Sequence, residues 1–373
     1  MKSYSRQDID RVVFISDIHL GVRNASIEWA ENTVMYFDNF FFPLIDKYLS
    51  SGEKIIIVIA GDFFDNRKHI DIKILDLGVQ IMKQLAERCE VFVLAGNHDI
   101  YKRKETDVTS LVLYKHFDNV NVIDEVSSIV LPGVKQMILV PWIGDHSEET
   151  KILANHKNDE FIIMHTDISG LKFDNGREII DGANINVIEN GKIYSGHIHK
   201  RQENDKVVYL GSPYQLRRSD IGNEKGIYSL IFTKKEDVKQ EFVLNDYSPK
   251  FLRLRLIDIL NLTISDLKSI IKNNYVDIII KRSHKDDINI AKLMEAMDLC
   301  SPKKIEIILD KNDDEENIDD NNVISKDMSI SDIFDSYISQ FDLTEEEVKI
   351  LKTMNTDYLL NATEALGSDI EIK

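Results

Sequence analysis

The chain has 373 residues, a length that corresponds to two or three domains. Hydrophobic residues make up 43% and charged residues 29%, which excludes a mostly disordered or fibrous chain. No apolar run approaches the ~20 residues of a membrane-spanning helix. Two cysteines, Cys89 and Cys300, are too few for a disulfide framework or a zinc finger, so we expect a cytoplasmic protein without a membrane partner.

The net charge of −18 is unevenly distributed along the chain. Residues 311–373 contain 17 acidic and 5 basic residues, so this stretch carries two thirds of the net charge. The first 310 residues carry only −6. They can therefore still present a local basic surface to a polyanion.

From residue 12 to residue 233, short apolar runs alternate with longer mixed segments. The runs are rich in Ile and Val and end at Gly, Asp, Asn or Pro, a pattern typical of buried strands. The predicted strands are 12–16, 54–60, 91–95, 137–141, 161–164, 192–195, 207–210 and 227–232. An amphipathic helix is predicted over 70–88. This order predicts an α/β layered domain over 1–248, whose ligands bind at the carboxyl ends of strands.

A second, smaller unit is predicted over 249–310. Strands at 251–257, 276–281 and 304–309 alternate there with helices at 265–273 and 288–296, which indicates an α+β domain. Residues 311–328 are charged and rich in Asn, so they read as an acidic linker. Two helices, 331–340 and 344–365, are predicted within a C-terminal segment at 329–373.

Five short segments with chemically active side chains follow predicted strands. They are Asp17-Ile18-His19, Gly61-Asp62-Phe63-Phe64-Asp65, Gly96-Asn97-His98-Asp99, His165 and Gly196-His197-Ile198-His199. Each alone is more often a turn, a cap or a satisfied polar residue than a ligand. Their joint occurrence, each directly after a strand, predicts a metal site.

The ligand types and their spacing indicate two metal ions. In an extended chain the side chains at i and i+2 point the same way, so Asp17 with His19, and His197 with His199, can each converge on one centre. Carboxylate, imidazole and amide ligands favour Mn²⁺, with Fe, Zn or Mg²⁺ as alternatives. Seven candidate ligands exceed the needs of one ion; they are Asp17, His19, Asp62, Asn97, His165, His197 and His199. The positive charge of two divalent ions exceeds the negative charge of two carboxylates, so net positive charge remains at the site to bind a phosphate substrate.

The order D-x-H, GD-x-x-D, GNHD, H, GH-x-H resembles that of the calcineurin-like metallophosphoesterases. Within that family it is most similar to the SbcD-type DNA repair nucleases and to the recombination endonuclease small subunits of T-even phages. The resemblance implies a layered metallophosphoesterase β-sandwich flanked by helices over 1–248, a capping α+β domain over 249–310 and C-terminal helices.

The same resemblance assigns roles to individual residues. It implies that the first metal is held by Asp17, His19, Asp62 and His199, and the second by Asp62, Asn97, His165 and His197. His98 would be the catalytic histidine, acting as a general acid or a phosphate contact. Many nucleases of the family have a histidine where this chain has Asp65. Asp65 could instead act as a second-shell partner or a helix cap, which leaves the balance of exonuclease and endonuclease activity open.

Basic residues follow the motifs within a few positions, and loops at the same strand ends should lie on one face. We expect them to contact DNA phosphates, although solvated loop residues would look the same. The candidates are Arg23, Arg67, Lys68, Lys102, Arg103, Arg217 and Arg218. For Trp142 and the run 40–42 (Phe-Phe-Phe) we expect core packing and not base stacking.

The leading functional hypothesis is a two-metal DNA nuclease, acting as exonuclease or endonuclease in recombination and repair. The alternatives are a phosphatase or cyclic-nucleotide phosphodiesterase, and a DNA-end-binding scaffold that regulates an ATPase. The chain has no phosphate-binding G-x-x-x-x-G-K-[ST] loop. The resemblance therefore implies an SbcC-type ABC ATPase partner with a coiled coil, bound through the C-terminal helices, and a homodimer within a heterotetramer.

Overall fold

The computed structural model describes residues 2–102, 105–233, 237–281 and 290–310. Arg103, the predicted linker at 311–328 and the predicted helical segment at 329–373 lie outside the described residues. The described residues belong to one compact unit, Met1–Asp310.

This unit contains helices and strands, and many of the strands follow one another without an α-helix between them. In chain order the strands are β1 (Lys2–Ser5), β2 (Arg11–Ile15), β3 (Ile55–Ile59), β4 (Glu90–Leu94), β5 (Ile100–Lys102), β6 (Glu105–Thr109), β7 (Val120–Ile123), β8 (Ser127–Leu131), β9 (Lys135–Val140), β10 (Phe161–His165), β11 (Lys192–Gly196), β12 (Gln202–Glu203), β13 (Val207–Tyr209), β14 (Gly226–Phe232), β15 (Val238–Leu244), β16 (Phe251–Arg255), β17 (Tyr275–Lys281) and β18 (Lys304–Asp310). The α-helices are α1 (Ile27–Tyr36), α2 (Phe42–Ser50), α3 (Ile72–Arg88), α4 (His146–Asn155), α5 (Leu256–Ile259), α6 (Ile264–Ile271) and α7 (Ile290–Asp298).

Two large sheets face each other. The six-stranded sheet has the order β15-β14-β2-β3-β4-β7, and its strands β2, β3, β4 and β7 are parallel. The seven-stranded sheet has the order β1-β8-β9-β10-β11-β13-β12, with β9, β10, β11 and β13 parallel. Strands that carry the candidate site therefore end at the same edge in both sheets.

The sequence of β3, Ile-Ile-Ile-Val-Ile, is that of a strand covered by the other sheet on one face and by helices on the other. All five side chains are buried, because a parallel strand in a sandwich is covered on both faces. Ile56 and Val58 pack in the core between the two sheets, while Ile57 and Ile59 pack under the helices. Each such side chain stabilises the fold by about 1.5–3 kcal/mol. The expected β-sandwich flanked by helices is confirmed.

The helical stretch before β3 was not predicted from the sequence. Helix α1 continues through a π-helical turn, Phe37–Phe41, into α2. Phe40, Phe41 and Phe42 are buried in the core under these helices, so the core-packing expectation for this run is confirmed. Their spacing is not the 3.6-residue repeat of a surface helix, which hid the helix from pattern analysis.

Helix α3 begins two residues later than predicted. The side chain of Asp71 accepts a hydrogen bond from the backbone N–H of Lys73 at 2.8 Å and so caps the helix at its first turn. No helix within the described ranges is long and apolar enough to cross a membrane.

The residues after Phe251 form a separate three-stranded parallel sheet with the order β16-β17-β18. Its hydrophobic core is a cluster of its own, which includes Ile271, Val276 and Met297. The strand predicted at 251–257 is wrong at its end: β16 stops at Arg255 and α5 follows. Leu256 and Ile259 are three residues apart and both buried, which suits one helical turn better than strand alternation. The domain boundaries at 248 and 310 remain predictions.

Candidate metal centre

All seven residues predicted as ligands lie together, at the edge where the two large sheets meet. Asp17 and His19 follow β2, Asp62 follows β3 and Asn97 follows β4 in the six-stranded sheet. The other three come from the seven-stranded sheet, where His165 ends β10 and the His197/His199 pair follows β11. Parallel strands bring these loops to one edge, as the sequence predicted.

The backbone at this edge is strained. Asp17, His19, Asp62 and His197 all have positive φ angles, of 53°, 49°, 54° and 85°. Such conformations cost on the order of 1–3 kcal/mol for each non-glycine residue and cluster at functional sites. The surrounding sheets thus hold these four side chains in directions that an unstrained chain would not give them.

Two glycines make the close approach of the strands possible. A Cβ atom on Gly196 would lie 2.1 Å from Ser16 Oγ and 2.4 Å from the carbonyl oxygen of Ala60. A Cβ atom on Gly61, whose φ is +95°, would lie 2.3 Å from His165 Nδ1. Only glycine fits at these two positions without displacing the strands that carry the candidate ligands.

The first candidate group consists of Asp17, His19 and His199, whose ligand-type atoms lie within 4.8 Å of one another. The Nε2 atoms of His19 and His199 are 2.9 Å apart, and each is 4.0 Å from Asp17 Oδ1. All three side chains are buried. Two imidazole nitrogens and a carboxylate oxygen thus point at one small volume.

The second candidate group consists of Asp62, His165 and His197, joined by Asn97. The Oδ1 atom of Asn97 lies 3.0 Å from His165 Nε2 and 2.9 Å from His197 Nδ1. Asp62 Oδ2 lies 3.2 Å from His165 Nε2. Four ligand-type atoms therefore face one another here.

The convergence of His197 with His199 on one centre, expected from extended-chain spacing, is wrong. His197 belongs to the second group and His199 to the first. The reason is the positive φ of 85° at His197, which breaks the extended geometry that the spacing rule assumes. The division of the pair between two centres agrees with the assignment that the family resemblance implied.

Asp62 lies between the two groups. Its Oδ2 atom is 3.6 Å from His19 Nε2 as well as 3.2 Å from His165 Nε2. Its Oδ1 atom accepts a hydrogen bond from the backbone N–H of His98 at 2.8 Å, which fixes the carboxylate. In the same way the backbone N–H of His197 donates to the carboxylate of Asp17 at 3.0 Å.

Asp65 and His98 lie beside the first group. Asp65 Oδ1 is 3.1 Å from His19 Nδ1, the ring nitrogen on the side away from the first group. The carbonyl oxygen of Asp65 accepts a hydrogen bond from His98 Nδ1. A carboxylate in this position accepts a hydrogen bond from the outer nitrogen and so fixes the orientation of a ligand histidine. His98 is half-buried, and its tethered Nδ1 leaves Nε2 as the atom that can act on a substrate.

Asp99 is a functional residue for which sequence reasoning proposed no role. Its buried carboxylate accepts hydrogen bonds from the backbone N–H groups of Phe63, Phe64 and Gly96, at 3.2, 3.1 and 3.0 Å. It thereby ties the loop that carries Asp62 to the loop that carries Asn97. Burial raises the pKa of Asp99 to about 7. The sequence feature that could have indicated this role is the position of Asp99 at the end of the Gly96-Asn97-His98-Asp99 turn.

Lys225 is a second residue that the sequence did not single out. Its buried ammonium group donates to the carbonyl oxygen of His199 at 2.6 Å, to Ser212 Oγ at 3.0 Å and to Asp220 Oδ1 at 2.8 Å. It fixes the backbone of a candidate ligand. A lone lysine between a loop and a strand carries no sequence signal for this role.

The ionisation of the site follows from burial and from the neighbouring charges. Burial opposes ionisation of Asp62, but the charge and hydrogen bond of His165, together with the charges of His19 and His98, outweigh burial and hold the pKa of Asp62 well below its usual range. Burial would lower the pKa of His165, yet the carboxylate of Asp62 raises this pKa to about 9. Burial lowers the pKa of His98 and, with the charge of His19, holds the pKa of His199 well below its ordinary value.

The donor set fits divalent cations. The ion-pair partners that the structure gives the buried carboxylates of Asp17 and Asp62 are all histidines. Buried carboxylates need compensating positive charge, which protonated His165 gives Asp62 in the metal-free protein. Divalent cations would supply that charge once the histidine ligands are neutral. Nitrogen and oxygen donors in two adjoining groups suit Mn²⁺, Fe or Zn.

The candidate DNA-contacting residues have different environments. Arg23 lies over the ring of Trp29 at 4.4 Å, and Arg218 forms ion pairs with Asp277 and Glu306 of the three-stranded sheet. Lys68, Lys102 and Arg217 are exposed, and Arg67 is half-buried. The charge of Arg217 contributes to the lowered pKa of His199, so it acts on the site. DNA contact remains a prediction for this set.

Trp142 packs in the core as expected, and it also borders the second group. Its ring centroid is 5.1 Å from that of His197 and 6.2 Å from that of His165. The buried indole thus limits how far these two imidazoles can move.

Comparison with known proteins agrees with this geometry. The model of the calcineurin-like phosphoesterase family matches residues 10–201, a range that holds all seven candidate ligands. The protein named "Putative phosphoesterase 078R" of Invertebrate iridescent virus 3 is 29% identical over 231 residues, which cover 58% of this chain and 60% of the viral protein. "Exonuclease subunit 1" of Enterobacteria phage T4 is 26% identical over 242 residues, which cover 63% of this chain and 68% of the phage protein. The chain belongs to the calcineurin-like phosphoesterase family, as its motifs and its β-sandwich indicated.

Proposed function

We propose that the chain is a two-metal-dependent DNA nuclease subunit. The observation that carries the proposal is the place of Asp62, whose Oδ2 atom lies within 3.6 Å of a histidine of each candidate group. A carboxylate placed between two ligand sets would suit two adjoining ions. In this proposal Asp17, His19, Asp62 and His199 hold one ion, and Asp62, Asn97, His165 and His197 hold the other.

The chain's own residues position the substrate and move the proton. Divalent ions bound at the two groups would supply Lewis acidity to the phosphate oxygens. His98, tethered through Nδ1 to the carbonyl oxygen of Asp65, turns Nε2 toward the leaving oxygen and donates its proton there. Because burial lowers the pKa of His98, its protonated form is a stronger acid than an exposed histidine.

DNA is the proposed substrate. The similarity to the phage protein named an exonuclease subunit supports it, and so do the basic side chains that follow the motifs. Lys68, Lys102 and Arg217 are exposed and can approach a phosphate backbone. Binding through such contacts weakens steeply as salt concentration rises, which gives a simple test of their involvement.

We further propose that the chain works in a complex for DNA recombination and repair. The partner is an SbcC-type ABC ATPase with a coiled coil, bound through the C-terminal segment at 329–373, in a heterotetramer built on a dimer of this chain. Mn²⁺ is the proposed ion. The word "subunit" in the name of the phage relative supports a multi-subunit assembly.

A phosphatase or cyclic-nucleotide phosphodiesterase is the second candidate, because the name of the viral relative says only phosphoesterase and so covers these reactions too. A comparison of substrates distinguishes this candidate from the nuclease. Purified protein with Mn²⁺ is assayed on linear duplex DNA, single-stranded DNA, p-nitrophenyl phosphate and a cyclic nucleotide. The nuclease proposal expects DNA to be hydrolysed with the highest kcat/KM. Hydrolysis of the small esters with DNA left intact would replace it with the phosphatase assignment.

A further inference from the structure

The segment that follows β10 lies beside both histidines of the Gly196-His197-Ile198-His199 motif. It contains two aspartates, Asp167 and Asp174, whose carboxylates lie near these histidines. Asp167 Oδ1 is 3.2 Å from His197 Nε2. Asp174 Oδ2 is 3.8 Å from His199 Nδ1. Neither aspartate belongs to the candidate ligand groups. Both face the ring nitrogen on the side away from those groups.

Asp167 contacts the ring nitrogen of His197 that points away from the second group, as expected for a carboxylate that orients a metal-binding histidine. His197 Nδ1 faces Asn97 Oδ1 at 2.9 Å inside the second group, so Nε2 is the nitrogen left to carry the proton. Asp167 Oδ1 is buried and has no aligned hydrogen-bond donor among the described residues. It lies within ion-pair distance of that nitrogen, and a small rotation of either side chain aligns the two.

The contact of Asp174 with His199 has the same form in the first group. His199 Nε2 faces His19 Nε2 at 2.9 Å, while His199 Nδ1 is buried without a hydrogen-bond partner among the described residues. The other carboxylate oxygen, Asp174 Oδ1, accepts a hydrogen bond from the backbone N–H of Lys200 at 2.9 Å. The carboxylate is thus anchored beside the ring, and a shift of roughly 1 Å brings it into direct hydrogen-bond range.

Buried hydrogen bonds hold this segment in place. The phenol of Tyr209 accepts from the backbone N–H of Ile168 at 2.8 Å and donates to the carbonyl oxygen of Thr166 at 3.0 Å, on either side of Asp167. The hydroxyl of Thr166 donates to the buried carboxylate of Glu149 at 2.6 Å. A carboxylate held this firmly can orient the ring that it touches.

We propose that Asp167 and Asp174 are positioning residues, one for each metal group, that fix the tautomer and the ring orientation of His197 and His199. The inference rests on the proposed two-metal site and adds to it the residues that set its affinity. Removing such an outer carboxylate typically weakens metal binding by roughly 10–100-fold. Asp181 provides a matched control, because it lies on the same segment and is exposed.

The test measures Mn²⁺ binding to the metal-stripped full chain by calorimetry. We expect Asp167→Ala to lower the affinity for one of two Mn²⁺ ions by roughly 10–100-fold. Asp174→Ala should lower the affinity for the other ion, and Asp181→Ala should leave both affinities unchanged. Asp167→Asn, which keeps an acceptor oxygen, should recover part of the loss. Thermal unfolding of the metal-free variants should stay near that of the wild type, which separates positioning from a structural role.

A double substitution gives the sharpest result. In a His197→Ala background, Asp167→Ala should cause no further loss of Mn²⁺ affinity, because the ring on which it acts is gone. An equal loss in both backgrounds would overturn the assignment of Asp167, and unchanged Mn²⁺ affinity in the single variants would overturn the whole inference. A wild-type chain that binds no Mn²⁺ would instead overturn the proposed function itself.

Discussion

His98 follows the candidate ligand Asn97 in the chain but belongs to neither of the two candidate ligand groups. Its backbone N–H supports Asp62 and its Nδ1 is tied to the carbonyl oxygen of Asp65, so its remaining nitrogen is free for chemistry. At the position of Asp65 the family resemblance leads to the expectation of a histidine, and this chain has instead a carboxylate whose Oδ1 lies 3.1 Å from Nδ1 of His19, a candidate ligand.

For His98→Ala we expect DNA cleavage to fall by 10²-fold or more, since general acid catalysis contributes on the order of 10²–10⁴-fold. Two Mn²⁺ ions and DNA should still bind, because the backbone N–H that supports Asp62 survives the substitution. Metal analysis and single-turnover cleavage check the two halves of this prediction. The exposed His116→Ala serves as control. Loss of a bound ion in the His98 variant would reassign this residue as a ligand.

The pH dependence of Mn²⁺ binding follows from His165. Its pKa is raised to about 9, so the ion pair of protonated His165 with Asp62 stabilises the metal-free protein fully below the ordinary pKa of 6.5 and is lost as pH rises through about 9. A ligand histidine must be neutral, so Mn²⁺ has to displace this proton. We therefore expect Mn²⁺ affinity to rise between pH 6.5 and 9, by up to about tenfold per pH unit.

Calorimetry in two buffers of different ionisation enthalpy measures both the affinity and the protons released per ion. A release of about one proton at pH 7.5 is expected from His165. Affinity that stays constant over this pH range, with no proton release, would show that His165 is not displaced by the ion.

At the scale of elements, the site depends on how closely the two large sheets approach at one edge. Gly196 ends β11 where it passes the ends of β2 and β3. Extended strands alone would point His197 and His199 the same way, and the positive φ of His197 separates them. The sheets supply the packing that holds this strained backbone, and the strain places one histidine in each group.

For Gly196→Ala we expect a loss of about 1–3 kcal/mol in the free energy of unfolding, because the added methyl group would overlap backbone that cannot move easily. Mn²⁺ affinity should fall as well, since β3 and β11 must separate. Gly222→Ala is the control for space, because nothing lies within 4 Å of its Cβ position; its positive φ of 75°, which Gly196 does not share, makes it report the cost of backbone strain alone. Chemical denaturation measures the stability. Unchanged stability and Mn²⁺ affinity in Gly196→Ala would mean that close approach at Gly196 is unimportant.

Pattern analysis could pick out the seven candidate ligands, whose role remains a prediction, because they follow buried parallel strands whose ends are marked by apolar runs and glycines. It could not separate His197 from His199, since the strained φ of 85° has no counterpart in side-chain spacing. It missed Asp99, Asp167 and Lys225 because their roles depend on backbone groups and rings that are distant in sequence. It missed α1 and α2, although their buried residues are three to four positions apart, because polar Asn32 and Thr33 occupy buried positions and the π-helical turn Phe37–Phe41 interrupts the period.

At the scale of the whole molecule, we propose that residues up to 310 carry the nuclease site and that the acidic C-terminal segment binds a protein partner. Residues 311–373 carry two thirds of the net negative charge, which argues against contact with DNA. The apolar residues predicted on the helices 331–340 and 344–365 suit a protein partner instead. The three-stranded sheet meets the large sheets through Arg218, which pairs with Asp277 and Glu306.

Truncation after Lys311 should leave Mn²⁺-dependent cleavage of short DNA within about twofold of the full chain, because every candidate ligand precedes it and surface changes away from a site have small effects. Association with the ABC ATPase and ATP-stimulated digestion should be lost. Co-purification of the two proteins and digestion with ATP measure this. Undiminished affinity of the truncated chain for the ATPase would refute the docking role of 329–373.

The central claim is that Asp62 joins two metal ions into one nuclease site. It is tested most directly by digestion of end-labelled linear DNA with Mn²⁺, comparing the wild type with Asp62→Asn and with the exposed control Asp118→Asn. We expect the wild type and Asp118→Asn to degrade DNA, and Asp62→Asn to lose nearly all activity while it stays folded, because the carboxylate that lies between the two ligand sets is gone. Full activity of folded Asp62→Asn would contradict the two-metal account.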